Sequence, residues 1–189
     1  MSDINFYGKY LGQPQARLNR RQLDSGHYKA IPKNMMERFD FKGTGEGGDG
    51  LTVPIQPAVE ATDTTPAIPE VNPILPLMEV RTNMVPAYIA SKIRSSGLGA
   101  GVILDVGIAR HYEGQIEGME KLFADGHDLS SAGDLPMFSA VPTDKIGAPL
   151  WELLGLDCDP SLDVCVIATI RGAAPAAGSL YFEGSFWGL

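Results

Sequence analysis

The sequence is poor in the residues on which most catalytic and metal-binding chemistry depends. It has two cysteines and three histidines among 189 residues. Cys158 and Cys165 lie seven residues apart, which is neither the C-x-x-C spacing of redox motifs nor the spacing of zinc ligands. Cys165 stands in the apolar run 164–167, where a small buried thiol is expected. Such sparse cysteine usage is typical of reduced, structural thiols in a reducing compartment.

Long apolar stretches are also missing from the sequence. The longest runs fall far short of the roughly 20 residues that span a bilayer. The N-terminal region has no apolar stretch of the kind that forms the centre of a secretory signal. We therefore expect no membrane segment, and a protein made in a cytoplasm that acts there or assembles there into something larger.

Basic residues are in the minority and are unevenly distributed. The chain holds 15 Lys and Arg against 23 Asp and Glu, a formal net charge of −8. This argues against a protein that binds nucleic acid over its whole surface. Residues 1–42 carry eight bases and four acids, a net charge of +4, and residues 43–189 carry the other seven bases and nineteen acids, a net charge of −12. This asymmetry predicts a basic N-terminal arm on an acidic body.

The predicted arm has aromatic residues at intervals and little helical periodicity. We expect it to be extended and to lie on another surface, where aromatic residues and arginines are common anchors. An ordinary N-terminal subdomain and a disordered tail are the alternatives. The residues assigned to docking are Tyr7, Tyr10, Arg17, Arg20, Arg21, Phe39 and Phe41.

Glycine and proline are abundant, with 22 and 14 copies, and many stand between the arm and the rest of the chain. Five glycines between residues 43 and 50 predict a flexible hinge, since no Lys-Ser/Thr follows to complete a phosphate loop. Residues 51–86 hold seven prolines among many aliphatic residues, which predicts an extended segment packed along a surface. We therefore divide the chain into an arm and hinge at 1–50, a Pro-rich segment at 51–86 and a β-rich body at 87–189.

Stretches rich in β-branched and apolar residues predict the strands of the body. They lie at 77–81, 100–110, 163–170 and 179–189, and the short stretch 88–94 fits either a strand or a helix. Gly107 is expected to mark a bulge or a close approach of another backbone. The last two predicted strands read as a hairpin-like pair, and short helices are expected at 113–124 and 150–156.

Several short strands between Gly and Pro turns, with few helices, are typical of a sandwich or barrel. The predicted fold is mainly β: an antiparallel β-sandwich or jelly-roll-like body with short helices and an extended N-terminal arm. The expected core residues are Val102, Leu104, Val164, Val166, Leu180, Phe182 and Phe186.

No motif predicts a catalytic site. His27, His111 and His127 stand in no metal-ligand pattern, and no G-x-S-x-G or other supported Ser/His/Asp arrangement is present. Asp105 is a lone carboxylate within an apolar strand, which favours a structural, hydrogen-bonded group. We predict that the protein is not an enzyme and has no catalytic residue.

One acidic cluster superficially resembles a cation-binding loop. It contains Asp157, Asp159 and Asp163, but an EF-hand needs a glycine at the position of Leu162 and a glutamate at that of Ala168. An acidic turn that caps a strand is the simpler interpretation. We therefore predict no metal site and no cofactor.

A short set of motifs resembles a pattern found in virion structural proteins of tailed bacteriophages. The run Val-Ile-Leu-Asp-Val-Gly-Ile at 102–108 is followed by a variable insert and a Ser-Ala-Gly turn at 131–133. A β-branched strand at 163–170, an Ala/Pro/Gly stretch and a closing Gly-Ser-Leu-Tyr-Phe-Glu at 178–183 complete it. The resemblance covers residues 84–189 and brings no catalytic residues with it.

The resemblance implies a non-enzymatic capsid decoration or cement protein. Such a protein would bind the outside of the shell and bridge neighbouring major capsid subunits, within a virion assembled in the host cytoplasm. Its expected partners are the major capsid protein and further copies of itself, with a trimer as one arrangement, and neither membrane nor direct nucleic-acid binding is expected. A head–tail adaptor, neck or tail component is one alternative. A small β-sandwich carbohydrate-binding module is the second.

Overall fold

The computed structural model describes residues 33–42, 50–53, 55, 72–110 and 119–188. One short helix, α1, spans Leu150–Leu153, and a single 3₁₀ turn spans Thr143–Lys145 in this part of the chain. The strands β1 to β9 are Lys33–Lys42, Ile74–Arg81, Val85–Pro86, Lys92–Ser96, Val102–Arg110, Ala124–Asp128, Ala132–Pro136, Asp163–Gly172 and Ala177–Trp187.

The strands form two antiparallel sheets. Sheet I has the order β1-β9-β4-β7, with β3 also paired to β9, and sheet II has the order β2-β8-β5-β6. With the two-residue β3 set aside, the eight remaining strands counted along the chain give the orders 1-8-3-6 and 2-7-4-5. That interleaving is the strand order of a jelly roll, a sandwich of two Greek keys. The predicted antiparallel sandwich is confirmed, and its topology matches the jelly-roll form.

The core fills the space between the sheets. All seven predicted core residues are buried, none with more than 1% of its surface exposed. An aromatic cluster joins them, in which Phe138 packs edge-on against Phe123 and Phe186 with ring centroids 4.9 and 5.7 Å away. Such edge-to-face pairs add to the stability that comes from burial alone.

The folded body begins earlier in the chain than the predicted boundary at residue 87. Strand β1 pairs with β9 over all ten of its residues, and β2 pairs with β8 from Ile74 to Arg81. Met35, Phe39 and Phe41 alternate along β1 and point into the core, a period of two that is typical of a half-buried strand. The division at residues 50 and 86 is therefore revised, because it rested on charge, glycine and proline content, none of which registers the alternation of side chains along a strand.

The last two long strands do not form a hairpin. Strand β8 lies in sheet II and β9 in sheet I, so the small-residue loop between them crosses from one layer to the other. Two hydrogen bonds hold this loop: Ala173 N–H donates to the Gly101 carbonyl at 3.0 Å, and Ala176 N–H donates to the Leu98 carbonyl at 2.7 Å. The hairpin prediction was wrong because strands that are adjacent in sequence need not be neighbours in a sheet.

The predicted helices had different outcomes. The helix at 150–156 is confirmed as the single turn α1. Part of the helix predicted at 113–124 lies outside the described residues, and its end is not helical: residues 119–123 form a turn and Ala124 begins β6. There the Phe123 N–H donates to the Val106 carbonyl at 2.9 Å. The ambiguous stretch 88–94 is a turn followed by β4.

Gly107 lies where another backbone approaches β5, as its place in an apolar strand predicted. A Cβ atom built on Gly107 would be 2.0 Å from the Met119 carbonyl oxygen and 2.3 Å from the Glu120 carbonyl carbon. The approach is held by a hydrogen bond of 2.9 Å from the Ile108 N–H to the same Met119 oxygen. Only glycine fits there, because the atoms in the way belong to the main chain.

We predict that Gly107→Ala lowers the free energy of unfolding by about 3 kcal/mol or more, since the added methyl group must displace main-chain atoms. Gly133→Ala is the control, because a Cβ at Gly133 meets nothing within 4 Å. Urea denaturation followed by circular dichroism measures both. Equal stabilities of the two variants would contradict the close approach.

Candidate functional site

The predicted docking residues fall into two groups. Tyr7, Tyr10, Arg17, Arg20 and Arg21 lie outside the described residues, so their assignment to docking stays a prediction.

Phe39 and Phe41 are core residues of this chain. Each has 3% of its surface exposed, and Phe39 packs edge-on against Phe182 with ring centroids 5.9 Å apart. Their side chains are occupied by the interior of the sandwich and cannot also anchor an arm on a partner. The interpretation of these two residues is therefore revised.

The outer face of sheet I is the part of the described surface best suited to bind a partner. Register places Arg38, Tyr181, Arg94 and Asp134 in one row across β1, β9, β4 and β7. Arginine and tyrosine are enriched at protein interfaces because they combine hydrogen bonds with a large contact area. Sequence reasoning missed this row, since it joins four strands that are distant along the chain.

Exposed apolar side chains also occur on and beside that face. Met36 and Trp187 have 68% and 49% of their surfaces exposed, and Ile89 is fully exposed. Met36 and Trp187 lie on the outer face of β1 and β9, and Ile89 lies in the adjacent loop, where the Ala87 N–H donates to the Ser185 carbonyl at 2.8 Å. Met36 lies opposite Glu183, four residues from Trp187, so these are separate exposed side chains and not one continuous patch.

The ion pairs on this face are weak. Arg94 lies 3.7 Å from Asp134 and 3.8 Å from Glu183, and Lys92 lies 3.7 Å from Glu183, measured between nitrogen and oxygen. All four side chains are more than a third exposed, and such pairs contribute little to stability. These charges are therefore available to a partner at small cost to the fold.

A serine and a histidine meet at the end of β6, but their geometry does not fit a catalytic pair. His127 Nε2 lies 2.8 Å from the Pro136 carbonyl oxygen and 3.2 Å from Ser139 Oγ. A carbonyl oxygen can only accept, so Nε2 carries the proton and donates it to Pro136. No lone pair on that nitrogen is then left to take the proton of Ser139. His27 and His111 lie outside the described residues.

The acidic cluster anchors a loop. Asp159 Oδ1 accepts hydrogen bonds from Thr82 Oγ1 at 2.5 Å and from the Ser161 N–H at 2.9 Å. Thr82 Oγ1 in turn accepts a bond of 3.2 Å from the Leu162 N–H. These bonds, the Thr82 bond first, hold the pKa of Asp159 below its ordinary value. In the described part of the chain, no group of three His, Cys, Asp or Glu residues could hold a metal ion.

Asp105 has a basic partner that the sequence did not reveal. Its carboxylate, 2% exposed, accepts bonds from Arg171 Nε at 2.6 Å, from Arg171 Nη2 at 3.2 Å and from the Gly126 N–H at 2.7 Å. The Arg171 guanidinium also lies 3.5 Å from Asp125, which Lys121 contacts at 2.8 Å. The group ties β5, β8 and β6 together at one edge of sheet II, a structural role consistent with the prediction for Asp105.

The cysteines are free. Cys165 is buried in sheet II, and burial raises the pKa of its thiol to about 12, so almost no reactive thiolate is present near neutral pH. Cys158 is exposed. This matches the expectation of two unpaired thiols.

The comparisons with known proteins add no relative. No family model, curated protein or solved structure matches the chain. In the part of the chain that the structure describes, no helix has the length and apolar character needed to cross a membrane.

We predict that Asp105→Asn and Arg171→Met each lower the free energy of unfolding by about 2–4 kcal/mol, because each leaves a largely buried charge or polar group without its partner. The double variant should lose clearly less than the sum of the two, since neither charge then remains. Urea titrations of the four proteins give the coupling energy. Additive losses would show that the two side chains act independently.

We also predict that Asp159→Asn destabilises the protein at pH 7 and that this difference disappears in acid. The folded-state pKa of Asp159 lies below its unfolded value of about 3.9, so the stabilisation is present above that value and is lost as pH falls through the folded pKa. Asp157→Asn, an exposed carboxylate nearby, is the control. Denaturant midpoints measured from pH 7 to pH 2 test this, and a difference that persists at pH 2 would contradict it.

Proposed function

We propose that this chain is a non-enzymatic structural protein of a tailed bacteriophage particle, of the capsid decoration or cement type. It binds the outside of the shell through its body and its basic N-terminal segment, and bridges neighbouring major capsid subunits. Further copies of the same chain are its other partners, on a virion assembled in the host cytoplasm.

One observation carries the proposal: strand β1 is continuous with a basic segment and is firmly held in the body. Its ten residues pair with β9 from Lys33 to Lys42 without a break. The 32 residues before it contain five bases and two acids, a net charge of +3, together with Phe6, Tyr7, Tyr10 and Tyr28. A load on that segment would be transmitted directly to the sheet, as bridging requires.

The architecture of the body is a second support. Jelly rolls recur in capsid proteins, although they also occur in lectins and in other binding domains, and a fold alone does not assign a function. The outer face of sheet I adds Arg38, Tyr181 and Arg94 in one row, and Met36 and Trp187 are exposed elsewhere on the same face. Residue types of this kind serve large protein interfaces.

The candidate catalytic groups offer little support for an enzyme. His127 donates its Nε2 proton to a carbonyl, Asp159 holds a loop, and Asp105 is paired with Arg171. Each of these polar side chains is accounted for by a bond that stabilises the body.

We predict that deleting residues 1–32 strongly reduces binding to expanded shells of the phage that encodes this chain, because the docking segment is lost. The deletion must stop at residue 32, since β1 begins at Lys33 and carries the core residues Met35, Phe39 and Phe41. Copies bound per shell are counted by co-sedimentation. Hundreds of copies, saturating at a number tied to shell symmetry, are expected for the intact chain.

Alanine variants of full length test whether the charge of the N-terminal segment, rather than its length, is needed for binding. Replacing Arg17, Arg20 and Arg21 by alanine should weaken binding by about tenfold or more, an effect of about 1.4 kcal/mol, and should reduce its dependence on salt. Replacing Lys121 and Lys145, exposed bases outside sheet I, by alanine is the comparison and should leave binding unchanged. Unchanged affinity after the deletion would refute the docking role of the segment.

The alternatives predict different counts and ligands. A dozen or fewer copies per particle would place the chain in a head–tail adaptor, neck or tail. The exposed Trp187, with Tyr181 on the same face, is the feature that favours a carbohydrate-binding module, because aromatic platforms stack on sugar rings. Binding of an oligosaccharide that is lost in Trp187→Ala, without shell binding, would favour that reading.

A further inference from the structure

Two backbone hydrogen bonds to Leu51 show on which side of β1 each main-chain N–H and C=O group lies. Leu51 N–H donates to the Asp40 carbonyl at 2.7 Å, and Lys42 N–H donates to the Leu51 carbonyl at 3.2 Å. Leu51 therefore lies on the side of β1 away from β9. Because the N–H and C=O of a residue point to the same side of a strand and the sides alternate, Asn34, Met36 and Arg38 also face away from β9.

These three residues form an open strand edge. Their three N–H and three C=O groups have no backbone partner among the described residues, and β1 pairs with β9 without a register shift or bulge. An edge of this kind is a template for another strand.

The open edge has a defined length. At its far end the carbonyl of Asp40 and the N–H of Lys42 already bond to Leu51. At its near end residue 32 is proline, which has no N–H to donate in any conformation. The edge therefore offers Asn34, Met36 and Arg38, with Met36 at the centre.

We propose that two copies of this chain pair through the β1 edge, antiparallel and about a two-fold axis at Met36. Met36 then lies opposite Met36 of the second copy, and Asn34 lies opposite Arg38 of the second copy. Each of the three opposed pairs exchanges two hydrogen bonds, so that six bonds use all the open groups of both edges. The ladder cannot extend by one more pair at either end. That pair would place Pro32, which has no N–H, opposite Asp40, whose carbonyl is already bonded to Leu51.

A second copy is the favoured occupant because the edge is complementary to itself. The two-fold register brings together the methionine side chains, 68% exposed in the single chain, and buries apolar surface at the centre. Arg38 keeps its pairing with Asp40 at 2.9 Å, so the arginines enter the dimer already neutralised. Such an isologous contact closes at two copies and joins the two copies of sheet I into one continuous sheet.

The contact is small and should be weak in dilute solution. Stable interfaces bury about 1,200–2,000 Å² in total, more than a pairing of three residues on each side can supply. We expect dissociation in the micromolar to millimolar range and strengthening wherever copies are held close together. The inference stands without the proposed virion role, since it concerns this chain alone in solution.

Disulfide trapping tests the register in the full chain with Cys158→Ser, which removes the exposed thiol. Met36→Cys should cross-link with itself, because directly opposed hydrogen-bonded residues have Cα atoms about 5.5 Å apart, within the roughly 4.4–6.8 Å of disulfides. Asn34→Cys alone should not cross-link, because residue 34 of the second copy lies four residues away along the strand, about 13 Å. A mixture of Asn34→Cys and Arg38→Cys should cross-link again.

This pattern, with the Met36 cross-link at least about tenfold faster than the Asn34 one, would establish the register. Equal rates at all positions would indicate random collisions and overturn the proposal. So would the absence of a Met36 cross-link at millimolar protein.

Sedimentation velocity gives an independent measurement without cysteines. Mass should rise with concentration from 20.2 kDa towards twice that value. Met36→Lys, which opposes two like charges at the axis, should weaken association by about tenfold or more, whereas Met36→Leu should preserve it. Both changes lie on an exposed side chain, so folding should be unaffected. Dimers unaltered by Met36→Lys, or lost on deletion of residues 1–32, would assign the contact to another surface or to the N-terminal segment.

Discussion

The pairing of β1 with β9 is the constraint on which the rest of the sandwich depends. It joins the beginning and the end of the described chain along ten residues, and it places Met35 and Phe39 over the core opposite Gly184 and Leu180. A Cβ at Gly184 would lie 3.0 Å from Met35 Cε and 3.1 Å from Met137 Sδ. The methionines occupy the space which the glycine leaves beside β9.

The same pairing determines what the outer surfaces can do. Because β1 lies at the edge of sheet I, its main-chain groups between Asn34 and Arg38 that face away from β9 have no backbone partner among the described residues. The core-facing side chains of β1 fix its even-numbered residues on the outer face, beside Tyr181 and Arg94. The position of one strand thus determines both the row of exposed side chains and the outer edge of sheet I.

Part of the candidate site could be predicted from the sequence and part could not. The structural role of Asp105 was predicted from an acid within an apolar strand, but its partner Arg171 is 66 residues away and only the sheet register brings them together. Charge indicated a basic N-terminal region, yet charge says nothing about pairing, so Phe39 and Phe41 were assigned to docking although alternation places them in the core. The exposure of Trp187 could not be predicted either. The alternating pattern assigns the residues of β9 to two faces of the sheet but does not show which face other parts of the chain cover.

The sequence by itself determined the fold class and the interior. Alternating β-branched and aromatic residues select strands, Gly and Pro end them, and the buried set from Val102 to Phe186 follows from the hydrophobic effect alone. Only the tertiary structure decided which strands are neighbours, that β8 and β9 lie in different sheets, and where the edges are. Local residue preferences act over a few positions, whereas strand order is set by packing two complete sheets against each other, an energy to which residues far apart in the chain contribute together.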